Sequence, residues 1–210
     1  MKVHICTMLL MIYTPEGDVA NEVEHITYML DHGADYLFIR KPNMDDFALV
    51  DYLEKFDGKY YNKMISTSLI LCKEFDMAGY HFTRDIWQKN INYNAKIIEW
   101  LHGNHKISSK SAHSIHEINT LNKIFKLLII SPIYKSLTKK NYFYPWNYQT
   151  LGKAIENAES QCIAVGGITA SNIGETPKLH FAGAGLLGSI WKDQDEPIKA
   201  FELIKMSINA

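Results

Sequence analysis

The chain has 210 residues, of which 47% are hydrophobic and 21% charged, and its formal net charge is −1; this suits one well-packed domain spanning residues 1–210. The near-neutral charge argues against general nucleic-acid binding, and no apolar stretch reaches the roughly 18 residues of a membrane span. The cysteines are widely spaced in apolar segments, which predicts reduced core thiols in a cytoplasmic protein.

Short apolar runs alternate with longer segments of helical period along the whole chain. Strands are predicted at 4–13, 36–40, 63–66, 79–82, 105–109, 126–131, 161–165 and 183–187. Helices are predicted at 18–32, 44–56, 114–122, 148–158 and 195–207, with a short helical segment at 68–75 and a less regular one at 86–101. Eight such β-then-α units predict a single (β/α)8 TIM barrel, and an open doubly wound sheet is the alternative.

Polar side chains follow the predicted strands at the carboxyl end, where barrel enzymes carry their active sites. Arg40 and Lys41 follow the second strand, His81 lies near the end of the fourth, and Ser111 and His113 follow the fifth. Such a set suits an anionic ligand, because a guanidinium group can bind an oxyanion through two parallel hydrogen bonds. A structural ion pair is the alternative for Arg40, and simple packing inside a strand is the alternative for His81.

Two further groups of residues bear on catalysis and metal binding. An imidazole takes and returns protons near neutral pH, so His113 is a candidate general acid–base. A histidine that caps a helix, or one with its hydrogen bonds satisfied at the rim, is the alternative. The long loop at 131–147 is predicted to be a lid. Its Ser136, Thr138 and Lys139 favour contact with a phosphate, and a solvated basic loop is the alternative. No metal site is predicted, since Asp85 is the one carboxylate placed to contribute to one.

The last third of the chain contains two apolar runs that each end at glycine and precede a helix. The first ends at Gly166-Gly167 and the second at Gly188-Ser189. In eight-stranded barrels the loops after the last two strands commonly build a phosphate site from main-chain N–H groups. A small phosphorylated molecule is therefore the predicted ligand, and ordinary strand–turn junctions are the alternative.

With these residues assembled, the chain resembles the thiamine phosphate synthase family, which includes the thiazole tautomerases. The likeness rests on residues 111–117, 131–134, 138–139, 164–168 and 183–191. The resemblance implies a barrel that is often a homodimer. It also implies one of two reactions. The synthases join hydroxymethylpyrimidine diphosphate to thiazole phosphate, and the tautomerases shift a proton on the thiazole precursor to make the ring aromatic.

The resemblance also implies roles for individual residues. His113 falls on the position that the tautomerases use as proton shuttle. The glycine turns would hold the thiazole phosphate, and a further set would face phosphate or pyrophosphate: Arg40, Ser111, Ser136, Thr138 and Lys139.

The chain departs from the synthases where they bind magnesium. Ser66-Thr67 replaces their usual Asn-Asp pair, and Ile86 stands where they carry a second Asp, next to Asp85. Proton transfer on thiazole phosphate needs no magnesium, whereas a leaving diphosphate gains several kcal/mol from it. The sequence therefore leans to tautomerase-type chemistry without a cofactor. A magnesium-using synthase and a non-catalytic thiazole phosphate-binding protein remain alternatives.

Overall fold

Eight parallel strands close into a barrel in the computed structural model, which describes residues 8–89, 91–135, 144–192 and 196–208. Each strand pairs with the next, and the last pairs with the first. The strands are β1 (Leu9–Tyr13), β2 (Tyr36–Phe38), β3 (Met64–Ser66), β4 (Gly79–Phe82), β5 (Ile107–Ala112), β6 (Leu127–Ile130), β7 (Gln161–Val165) and β8 (Gly183–Leu186). The (β/α)8 barrel is confirmed, and the open sheet is excluded.

The helices cover the outside of the barrel. They are α1 (Glu22–Asp31), α2 (Asp46–Leu53), α3 (Leu69–Glu74), α4 (Arg84–Lys89), α5 (Ile91–Gly103), α6 (Ile115–Leu121), α7 (Tyr148–Glu156), α8 (Gly188–Trp191) and α9 (Pro197–Met206), with 3-10 turns at Gly58–Lys63, Ile173–Glu175 and Pro177–Leu179. The Asp45 carboxylate caps α2 by accepting a hydrogen bond from the N–H of Ala48 at 2.9 Å. Among the described helices, none has the length and apolar character to cross a bilayer.

The barrel interior is packed with apolar side chains and is not a pore. Tyr13 stacks on Phe38 with ring centroids 4.7 Å apart. The interior cluster is completed by Met11, Ile65, Leu127, Ile129 and Ile163. A larger core fills the space between the strands and the helices. These side chains fill the interior, and other barrels of this kind bind their ligands at the rim formed by the carboxyl ends of the strands.

The fifth strand differs most from its prediction. It extends to Ala112, where the sequence predicted an end at residue 109, because its ladder with β6 continues until Ala112 lies opposite Ile130. The hydroxyls of Ser109 and Ser111 contact the His81 ring inside the barrel. A strand with satisfied polar side chains can be buried without an apolar run, so hydrophobicity alone places its end too early. The predicted helical stretch at 86–101 is likewise divided, into α4 and α5.

Candidate active site

The ends of the last four strands adjoin on one side of the rim. Ala112 of β5 lies beside Ile130 of β6, and Val165 of β7 lies beside Gly185 of β8. Between them, β6 and β7 are paired in register as well. The residues that follow these strands therefore leave the barrel on the same rim: His113, Ser131, Gly166, Gly167, Gly188 and Ser189.

The imidazole of His113 is held in one orientation. Its Nδ1 lies 2.7 Å from the carbonyl oxygen of Ser131. A carbonyl only accepts hydrogen bonds, so Nδ1 is the donor, and Nε2 of the neutral ring carries the free lone pair. The main chain is fixed as well. The N–H of His113 donates to Oε2 of Glu117 at 2.6 Å, while Ser114 caps α6 by accepting from the N–H of Glu117 at 3.2 Å.

The segment 131–135 connects His113 to the first glycine turn. The N–H groups of Ile133 and Tyr134 donate to the carbonyls of Val165 and Gly166, both at 2.9 Å. This close contact explains why glycine occupies positions 166 and 167. Their φ values are +97° at Gly166 and +67° at Gly167. A Cβ at Gly166 would lie 2.9 Å from Cα of Pro132, and one at Gly167 would overlap the carbonyl of Lys135.

The predicted phosphate role of the glycine turns stays a prediction. Gly188 begins the single turn of α8, and Ser189 is half-buried beside it. Ser136, Thr138 and Lys139 fall outside the described residues.

His81 is buried at the barrel end of the site and is neutral. Its Nδ1 lies 3.0 Å from Oγ of Ser109, and its Nε2 lies 3.4 Å from Oγ of Ser111. Burial, together with the smaller effects of the charges of Lys110 and His113, lowers the pKa of His81 to about 3. The predicted ligand-binding role of His81 stays a prediction, and the geometry suits a neutral imidazole that orients the Ser111 hydroxyl.

Arg40 lies on another part of the rim. It lines a cavity of about 630 Å³ together with Ser66 and Thr67, whereas His113 lines a different one. The Arg40 guanidinium pairs with Glu16 at 2.8 Å, and its main-chain N–H donates to Oγ1 of Thr14 at 2.7 Å. The ion pair proposed as the alternative is therefore present, although both side chains remain partly exposed.

Lys41 forms a buried ion pair between α1 and α2. Its Nζ lies 2.7 Å from Oε2 of Glu22, and the hydroxyl of Tyr52 donates to Oε1 of the same carboxylate at 2.6 Å. The Lys41 side chain is 2% exposed. Its charge is thus neutralised within the chain, so the structure accounts for Lys41 without a ligand, and its predicted ligand contact stays a prediction.

The residues at the expected magnesium position do not fit the ion. Ser66 and Thr67 offer hydroxyls rather than carboxylates, Ile86 is apolar, and Asp85 is exposed in the first turn of α4. Within the described parts of the chain, no three His, Cys, Asp or Glu side chains come together as a metal site. Magnesium is bound through carboxylates and substrate phosphates, and this donor set lacks the carboxylates.

Lys110, together with Arg84, is the feature that the sequence reasoning missed. Lys110 is buried on the outer face of β5 and lines a cavity of about 320 Å³ that Arg84 of α4 also lines. His113 and Ser111 line the same cavity. The missed signal is a lysine between two serines of a strand, which puts it on the face opposite to the serines.

The sequence itself decides the family. A family model described as thiamine monophosphate synthase matches residues 9–189. The chain belongs to the thiamine monophosphate synthase family. No curated protein matches this sequence with significance.

Solved structures of the same fold include members of the thiamine monophosphate synthase family. A thiamine phosphate pyrophosphorylase from Bacteroides thetaiotaomicron is 22% identical, with a TM-score of 0.76 over 97% of this chain and 98% of that one. One from Pyrococcus furiosus is 18% identical, with a TM-score of 0.74 over 97% and 96% of the two chains. At such identities the likeness shows the fold.

Proposed function

We propose that this family member is a thiazole tautomerase-type enzyme that acts on the phosphorylated thiazole precursor, with His113 as its general acid–base. The observation that carries the proposal is the hydrogen bond from Nδ1 of His113 to the carbonyl of Ser131 at 2.7 Å. It leaves Nε2 as the proton acceptor at the edge of a cavity that is large enough for a ligand group.

The chemistry needs one proton acceptor that can also return the proton. Nε2 of His113 takes a proton from a ring carbon of the non-aromatic precursor, and the electron pair of that C–H bond moves into the conjugated system. The imidazolium then gives a proton back at a different carbon, which leaves the aromatic thiazole and the neutral histidine. The Ser131 carbonyl accepts the Nδ1–H bond throughout, so the ring keeps its orientation.

The substrate phosphate binds at the two glycine turns in this proposal. The support is their position, since Gly166 and Gly188 follow neighbouring strands on the same side of the rim as His113. Main-chain N–H groups of such turns favour an anion, as does the amino end of the helix that follows. A monophosphate held there requires no metal ion.

Replacement of His113 by Ala tests the proposal. We expect the tautomerisation rate to fall by about 10²–10⁴-fold, the usual contribution of general acid–base catalysis. His32→Ala serves as the matched control, because His32 is exposed at the end of α1 and at the opposite end of the barrel from the rim. Circular dichroism melting checks that both variants fold. A His113→Ala enzyme with wild-type turnover would remove His113 from the mechanism.

Thiamine phosphate synthesis is the second candidate, favoured by the description of the family model itself. Protein incubated with hydroxymethylpyrimidine diphosphate, thiazole phosphate and a series of magnesium concentrations is assayed for thiamine phosphate. Product at an enzyme-like rate establishes the synthase, and a rate that rises with the magnesium concentration makes magnesium its cofactor. Binding of thiazole phosphate in a calorimeter without turnover in either assay identifies a non-catalytic binding protein.

A further inference from the structure

A group of positively charged side chains lies beside His113 on the helix-facing side of β5. Lys110 is only 8% exposed, and its side chain lines the cavity of about 320 Å³ together with Arg84. Because β5 alternates its side chains, Lys110 faces the helices while Ser109 and Ser111 face the barrel. The cavity also reaches His113, so an occupant would lie next to the proposed acid–base.

The ammonium of Lys110 has no ion-pair or hydrogen-bond partner among the residues that the structure describes. Its Nζ lies 5.8 Å from the centroid of the Trp87 ring. Burial lowers the pKa of Lys110, and the charge of Arg84 lowers it too, while Glu117 raises it. The Glu117 carboxylate already accepts the main-chain N–H of His113. The pocket thus holds more positive than negative charge.

Buried charges in proteins are normally paired, because an unpaired ion loses its hydration without compensation. We propose that Lys110 and Arg84 form an anion-binding pocket that takes a phosphoryl group beside His113. The Arg84 guanidinium offers two parallel N–H donors to such an oxyanion, and Lys110 adds a point charge from β5, which lines the same cavity. Only the acid–base role of the neighbouring His113 is taken from the proposed function. The anion-binding pocket does not depend on that role.

The position of the anion is tested directly. Crystals soaked in tungstate, a heavy analogue of phosphate, should show the ion between Nζ of Lys110 and the guanidinium of Arg84. Crystals of Lys110→Met should lack it there. Tungstate bound only elsewhere in the wild-type protein overturns the proposal.

The affinity is tested by calorimetric titration with inorganic phosphate at constant ionic strength. We expect Lys110→Met and Arg84→Gln each to weaken phosphate binding by tenfold or more. Lys89→Met is the matched control, because Lys89 is exposed on the same helix as Arg84 and does not line the cavity. The Lys110→Met protein should fold, since it replaces a buried charge by an apolar chain of similar length. Unchanged affinity in both pocket variants overturns the proposal.

The anion can belong to the substrate or be a separate phosphate ion. Titration with phosphate in the presence of saturating thiazole phosphate distinguishes the two sources. Unchanged binding identifies a separate ion, and blocked binding assigns the single substrate phosphate to Lys110 and Arg84 in place of the glycine turns. The two proposals can fail independently. If His113→Ala retains turnover while tungstate still occupies the Lys110 pocket, the proposed function is rejected and the anion-binding pocket is kept.

Discussion

Nδ1 of His113 and the carbonyl oxygen of Ser131 lie 2.7 Å apart, and this contact joins the end of β5 to the segment that follows β6. That segment is in turn bonded to the carbonyls of Val165 and Gly166 at the end of β7. The orientation of the imidazole therefore depends on three consecutive strand ends. A substitution at the glycine turn should consequently alter the orientation of the His113 ring.

The first prediction separates the hydrogen bond of His113 from its acid–base role. His113→Asn can keep an N–H donor to Ser131 but has no group in the place of Nε2. We expect it to lose turnover as fully as His113→Ala does, while its free energy of unfolding stays about 1 kcal/mol higher than that of His113→Ala. Urea unfolding and steady-state rates measure the two effects. Substantial activity in the Asn variant would contradict the role of Nε2.

The second prediction concerns Gly167. An Ala at this position must adopt a φ of +67° and place its Cβ against Tyr134 and Lys135, so we expect a loss of about 1–3 kcal/mol in unfolding free energy. The rate should fall as well, since the displaced segment carries Ser131. Gly17→Ala is the control, because nothing lies within 4 Å of its Cβ position. Equal melting temperatures for the two variants would contradict the packing role of Gly167.

The alternation of apolar runs and helical segments was enough to predict the eight strands and favoured a barrel, but it also permitted an open sheet, which the pairing of β8 with β1 excludes. It was least reliable at β5, where Ser109 and Ser111 are buried against His81 and make a polar strand look like a loop. Because of the same error Lys110 was missed, since the face on which its side chain lies can be assigned only when the strand is known to reach Ala112. Pairing partners such as Glu22 for Lys41 are distant in sequence, and no local pattern reveals them.

The third prediction follows from the buried His81. Its pKa is about 3 in the folded chain, against about 6.5 in the unfolded chain. Between these values the unfolded chain binds a proton that the folded chain does not, so the free energy of unfolding falls as the pH falls, by at most about 1.4 kcal/mol per pH unit. His81→Asn should show a shallower loss between pH 6.5 and pH 4 than the wild type. Urea titrations at several pH values measure the free energy of unfolding. The same pH dependence in the wild type and in His81→Asn would contradict the lowered pKa of His81.

The fourth prediction concerns the buried pair of Lys41 and Glu22. Glu22→Ala removes the acceptor of the Tyr52 hydroxyl and leaves the buried ammonium with only the Gly17 carbonyl at 3.3 Å, and should lower the free energy of unfolding by about 3–5 kcal/mol. Replacing both charged residues, as Glu22→Leu with Lys41→Met, should recover most of that loss. Glu24→Ala, an exposed change in the same first helical turn, should stay within about 0.5 kcal/mol of the wild type. Urea unfolding measures the free energy of unfolding of all three variants. A small effect of Glu22→Ala would contradict the buried ion pair.

The anchoring of Arg40 has a consequence for how an anion could be captured there. Its main chain is fixed by Thr14 and continues into the buried Lys41, yet its guanidinium only pairs with the partly exposed Glu16. Such a surface pair is worth at most about 1 kcal/mol. An oxyanion that replaced the Glu16 carboxylate would therefore break one weak ion pair and leave the main-chain hydrogen bond of Arg40 intact.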